Sequence, residues 1–87
     1  MKYQVNYLYP NLGCAYLVCA NLTNADLKYA DLKDADFTSA LFGGAKNLKV
    51  EQLLEAKTLY KVTGLPLEME KELKEKKPEL FERPKER

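Results

Sequence analysis

Residues 12–45, LGCAYLVCANLTNADLKYADLKDADFTSALFGGA, decide the fold because they repeat one pattern every five residues. The first row of the pattern consists of alanines: Ala15, Ala20, Ala25, Ala30, Ala35, Ala40 and Ala45. The second row consists of large apolar residues, each two places after an alanine or in the same slot one unit earlier: Leu12, Leu17, Leu22, Leu27, Leu32, Phe37 and Phe42. A period of five belongs to neither an α-helix nor a flat strand.

The meaning of the period follows from where it directs the side chains. On an α-helix, five residues advance the side chain by about 140° around the axis, so the alanines would scatter over the whole surface. On a regular strand an odd step reverses the face, so successive leucines would point to opposite sides. A backbone that turns one corner per five residues keeps both rows inside. The pattern therefore predicts a solenoid whose dry interior is built from the two rows.

Four consecutive units in residues 20–39, A-N-L-T-N, A-D-L-K-Y, A-D-L-K-D and A-D-F-T-S, resemble the pentapeptide-repeat family. Its consensus is A-(D/N)-L-x-x, and the resemblance covers roughly residues 5–47 with weaker matches at both ends. It implies a mainly β fold, a right-handed, four-sided parallel β-helix with one unit per side. About two coils would fit, with neighbouring layers about 4.8 Å apart.

The composition changes after Gly43 and Gly44, where the period ends. From residue 48 onward there are ten Lys or Arg and nine Glu but no Asp, a mixture that favours helices. We expect one short amphipathic helix from residue 50 to residue 57 or 60 and a second over residues 67–76. The chain is thus divided into a repeat solenoid with an irregular N-terminal arm (residues 1–47) and a helical C-terminal cap with a charged tail (residues 48–87), together one folded unit.

We expect the two end layers of the solenoid to be covered in different ways. The C-terminal helices can cover one end layer, whose apolar interior and backbone groups would otherwise be unmatched. At the other end, either the tyrosine-rich arm closes the layer, or a second subunit does, or the chain is the last piece of a longer solenoid. Because stacking on a second copy would enlarge a small core, we favour a homodimer through the N-terminal coil.

The outward positions of the N-terminal coil are less polar than those of the next coil. The candidate interface residues are Leu8, Tyr9, Tyr16, Val18 and Cys19. Contiguous apolar surface often marks a protein interface, and packing against residues 1–9 of the same chain is the alternative.

A row of short polar side chains precedes the inner leucines: Asn11, Asn21, Asp26, Asp31 and Asp36. Such side chains can bond to the backbone of the corners. Because successive members point in different directions, they cannot converge on a metal or form an acid–base pair. Residues 1–47 carry four lysines and four aspartates, a balance that gives little support for imitation of DNA.

The residue inventory argues against catalysis. There is no histidine or tryptophan and only one serine, Ser39, so the usual nucleophile and base pairs are missing. Cys14 and Cys19 fall on neighbouring sides, which suits neither a metal cluster nor a disulfide, and we expect reduced thiols. With neither a membrane-length apolar run nor a signal-peptide pattern, we expect a cytoplasmic protein without membrane contact.

Three functions remain open from the sequence. The favoured one is a non-catalytic protein-interaction or scaffolding module, binding itself or an unidentified protein partner without cofactor, metal or small-molecule substrate. The second, which the family resemblance implies, is an inhibitor or protector of a nucleic-acid enzyme such as a type II topoisomerase, acting through an acidic surface. The third is a capped terminal segment of a larger solenoid protein.

Overall fold

The computed structural model describes residues 16–84 of the 87-residue chain. Its regular elements are α1 (Val50–Leu54), α2 (Leu67–Lys76) and a 3-10 helix (Pro78–Phe81). The two helices expected in the C-terminal part are therefore present, and α2 has the expected bounds. The expected strands are not: between residues 16 and 84 the β pairing consists of isolated bridges.

The bridges are parallel and join residues twenty apart in the repeats: Tyr16 with Asp36, Asn21 with Leu41, and Asp26 with Lys46. The residue after each upper bridge residue donates its N–H to the carbonyl below at 2.8 or 2.9 Å. Four five-residue units therefore separate one paired layer from the next. We call residues 16–34 the upper layer, residues 35–54 the middle layer and residues 55–65 the lower layer.

The corners explain why the bridges do not extend into strands. The last residue of each unit has a positive φ close to 60° even where it is not glycine: Cys19, Asn24, Tyr29, Asp34 and Ser39. The next alanine N–H returns to the carbonyl of the inner Leu or Phe three residues earlier, at 2.9–3.1 Å. A positive φ at the third residue is the feature of a type II turn. Because the turn uses most of each unit, one residue per unit forms a β bridge, and the corner N–H groups of Cys19, Asn24 and Ser39 add single bonds to the layer below.

Both repeat rows are buried from Leu17 to Phe42, and Ala45 at the end of the alanine row is half-buried. The inner leucines and phenylalanines from Leu17 to Phe42 are at most 1% exposed, and the alanines from Ala20 to Ala40 at most 5%. The rings of Phe37 and Phe42 meet edge to face with centroids 5.2 Å apart. Burial of each leucine side chain stabilises the fold by about 1.5 to 3 kcal/mol. Leu12 and Ala15 lie outside the described residues.

The paired layers continue past residue 47, where the sequence analysis ends the repeats. Bridges join Asp36 with Thr58 and Leu41 with Thr63, now twenty-two residues apart. Leu59 takes the inner position and is fully buried. The five-residue pattern does not predict this unit, because no alanine stands two places before Leu59.

Helix α1 is shorter than expected because the lower layer begins directly after it. It ends at Leu54 rather than near residue 57 or 60. The Thr58 hydroxyl accepts the N–H of Tyr60 at 3.1 Å. This bond closes a turn at a position where a longer helix would have continued.

Helix α1 stands below the last side of the upper layer, and one glutamine replaces the missing backbone pairing there. The alanine carbonyls of the other sides accept an N–H from the next layer at 2.7–3.1 Å. At Ala30 the donor is instead Nε2 of Gln52 at 3.0 Å, which also donates to the Leu27 carbonyl at 2.8 Å. Oε1 of Gln52 accepts the N–H of Lys49 at 2.7 Å.

The C-terminal elements pack against the lower layer. Leu73 of α2 and Leu80 of the 3-10 helix are buried in the same apolar cluster as Leu59. The carbonyl of Leu80 accepts the N–H of Leu59 at 2.8 Å, just as Thr58 accepts that of Phe37 one layer higher. Leu80 therefore supplies the acceptor that a further layer would supply. No helix within residues 16–84 has the length and apolarity needed to cross a membrane.

Candidate interaction surface

The bridges define three sides, and the unit above α1 is the fourth. The outward residues of side one are Tyr16, Val18, Asp36, Thr38 and Tyr60, whereas its paired residue Thr58 is buried. Side two contains Asn21, Thr23, Leu41, Gly43 and Thr63. Side three contains Asp26, Lys28 and Lys46, and side four contains Asp31 and Lys33 above α1.

The structure brings three of the predicted interface residues together at the start of side one. The Tyr16 side chain is 64% exposed, Val18 is half-buried, and Cys19 is exposed at the following corner. Cys19 is a free thiol. Leu8, Tyr9 and Cys14 lie outside the described residues.

Charge is unevenly distributed over the four sides. Among the described residues of sides one and two, only Asp36 and two lysines of the lower layer, Lys57 and Lys61, are charged. Sides three and four carry lysines and aspartates in alternation. Sides one and two together are thus a nearly uncharged half of the repeat surface.

The carboxylate of Asp36 is satisfied within side one. Its Oδ1 accepts the N–H of Thr38 at 3.0 Å and the hydroxyl of Thr38 at 2.7 Å. A carboxylate that already accepts two hydrogen bonds costs less to cover than an unpaired one. Asp36 therefore does not prevent a partner from covering side one.

The polar row that precedes the inner leucines bonds to the corners. Asn21, Asp26, Asp31 and Asp36 each accept the N–H of the residue two places later, at 3.0–3.1 Å. These are Asx-turn bonds, which hold the backbone in the turn conformation. The aspartates thus serve the turns, and the lysines at positions 28 and 33 interrupt them. No continuous acidic face results on the described layers.

Asp26 has a second partner from the layer below. Nδ2 of Asn47 donates to its Oδ1 at 3.0 Å. This bond, followed by the N–H of Lys28, lowers the pKa of the Asp26 carboxyl below its ordinary value. The effect stabilises the ionised form at the surface. Between residues 16 and 84 no three His, Cys, Asp or Glu side chains form a group that could hold a metal.

Two exposed apolar residues were not predicted as interface candidates. Leu41 is 42% exposed on side two, and Leu67 is 81% exposed at the start of α2. The signal for Leu41 was present in the sequence, because it occupies the outward slot that holds Asp or Asn in neighbouring units. The second exposed tyrosine, Tyr29, lies on the charged half at 68% exposure.

Comparison with known proteins bears on the repeats alone. The sequence model of pentapeptide repeats matches residues 11–46 as eight copies. No curated protein and no solved structure matches the chain.

Proposed function

We propose that this chain is a non-catalytic protein-interaction module that associates with a second copy of itself, and the match of residues 11–46 to pentapeptide repeats supports a repeat module. The contact surface is the start of side one, formed by Tyr16, Val18 and Cys19; the other two candidates from the sequence, Leu8 and Tyr9, lie outside the described residues. The observation that carries the proposal is the exposed Tyr16 on an otherwise nearly uncharged half of the repeats.

The chemistry of this surface suits a protein partner. Tyrosine is enriched at interfaces because it buries a large ring with few rotatable bonds and keeps a hydroxyl for hydrogen bonding. Val18 adds apolar area beside it, and Thr38 adds a polar group without charge. Asp36 is the charge of side one that a copy of the same surface would cover in the upper two layers, and its two hydrogen bonds from Thr38 lower the cost of covering it.

The proposal includes the architecture, a right-handed, four-sided parallel β-helix closed at one end by α2 and the 3-10 helix. Support for four sides comes from bridges between residues twenty apart. Support for the closed end comes from the Leu80 carbonyl and the buried side chains of Leu73 and Leu80. Growth by further stacking is blocked at that end. The association that we propose through side one is two-fold and closed because the same surface of each copy covers the other.

The proposal is tested by placing charge on the surface. The Tyr16→Glu/Val18→Glu variant brings four carboxylates together across a two-fold interface and should elute as a monomer. Light scattering of the native protein should give twice the 10.0 kDa chain mass. The matched control is Tyr29→Glu, because Tyr29 is equally exposed but lies on the charged half.

Circular dichroism melts separate loss of association from loss of fold. Both variants should retain the native spectrum, and the control should retain the native mass. A monomeric native protein at micromolar concentration, or a control that dissociates as fully as the double variant, would overturn the proposal.

A further inference from the structure

We draw no further inference here: the strongest candidate, the groove along the outer face of α2 beside the exposed Leu67 and the side chains of Lys71 and Lys74, is an unpartnered face, and nothing in the structure shows what covers it.

Discussion

Replacement of Gln52 by leucine tests whether one side chain substitutes for a missing row of backbone pairing. Gln52→Leu keeps a similar side-chain volume and a similar helix propensity, so its effect comes from the lost amide. Three hydrogen bonds disappear, at 2.7, 2.8 and 3.0 Å. The Leu27 carbonyl keeps the N–H of Ala30 as a donor, whereas the Ala30 carbonyl retains no donor from the layer below.

The expected loss can be worked from these bonds. An ordinary hydrogen bond contributes about 0.5 to 1.5 kcal/mol, and a partly buried carbonyl left without a donor costs about 1 to 3 kcal/mol. We therefore expect Gln52→Leu to lower the free energy of unfolding by about 2 to 4 kcal/mol. For a chain of this size, that corresponds to a fall in melting temperature of roughly 10 °C or more.

A second variant should make the loss of stability depend on pH. Gln52→Glu retains an acceptor for the Lys49 N–H but points a carboxylate at two carbonyl oxygens. The folded state then raises the pKa of the introduced carboxyl, so the variant is penalised above the ordinary pKa of glutamate and relieved as pH falls below it. Urea unfolding followed by circular dichroism at about pH 7 and about pH 4 measures both variants against the native chain.

A neighbouring position of α1 provides the control for Gln52. Glu51→Gln changes the neighbouring exposed residue of α1 and should leave stability within about 0.5 kcal/mol of the native value. If Gln52→Leu is equally neutral, the carbonyls of Leu27 and Ala30 do not depend on Gln52, and the explanation of the break in stacking fails.

Three further predictions concern backbone fit, core volume and charge. Gly64→Ala would place a Cβ 2.8 Å from the Cα of Gly43 at a φ of +90°, so it should unfold several degrees earlier than Gly43→Ala, whose Cβ meets nothing within 4 Å; equal melting temperatures would contradict the close approach of the two layers. Ala30→Leu should overpack the interior and destabilise by about 1 to 3 kcal/mol in urea unfolding, and an unchanged midpoint would place Ala30 outside the core. Because the folded state lowers the pKa of Asp26, this residue contributes stability above its unfolded pKa and loses it as pH falls through the lowered value. The stability gap between the native chain and Asp26→Asn should therefore shrink from about pH 6 to about pH 2.5, whereas a constant gap would exclude this linkage.

The five-residue period was sufficient to predict the family, which the match over residues 11–46 confirms. The fold was predicted only in part. The composition after Gly44 predicted α2 to its end residues, because Pro66 and Lys77-Pro78 are strong local boundary signals. The length of α1 was wrong because residues 55–60 fit a helix locally, whereas pairing with the middle layer pulls them into a further turn.

The candidate surface was predictable in position, since Tyr16, Val18 and Cys19 occupy outward slots of the repeat. Its role as an interface stays a prediction. The role of Gln52 could not be predicted, because it arises where the pairing between layers shifts from twenty residues to twenty-two. A local pattern does not encode that shift. It depends on how α1 and the 3-10 helix meet a layer that lies far away along the sequence.

The hydrogen bond from the Leu59 N–H to the Leu80 carbonyl bears on how chains with this repeat can vary in length. On side one the N–H of the inner residue donates to the carbonyl below in every layer, at Leu17, Phe37 and Leu59, so the closing segment meets a backbone arrangement that recurs. Insertion of a duplicate of residues 20–39 should thus lengthen the molecule by one layer, about 4.8 Å, with α2 and the 3-10 helix unchanged. The number of layers and the segment that closes the end can therefore vary independently of each other.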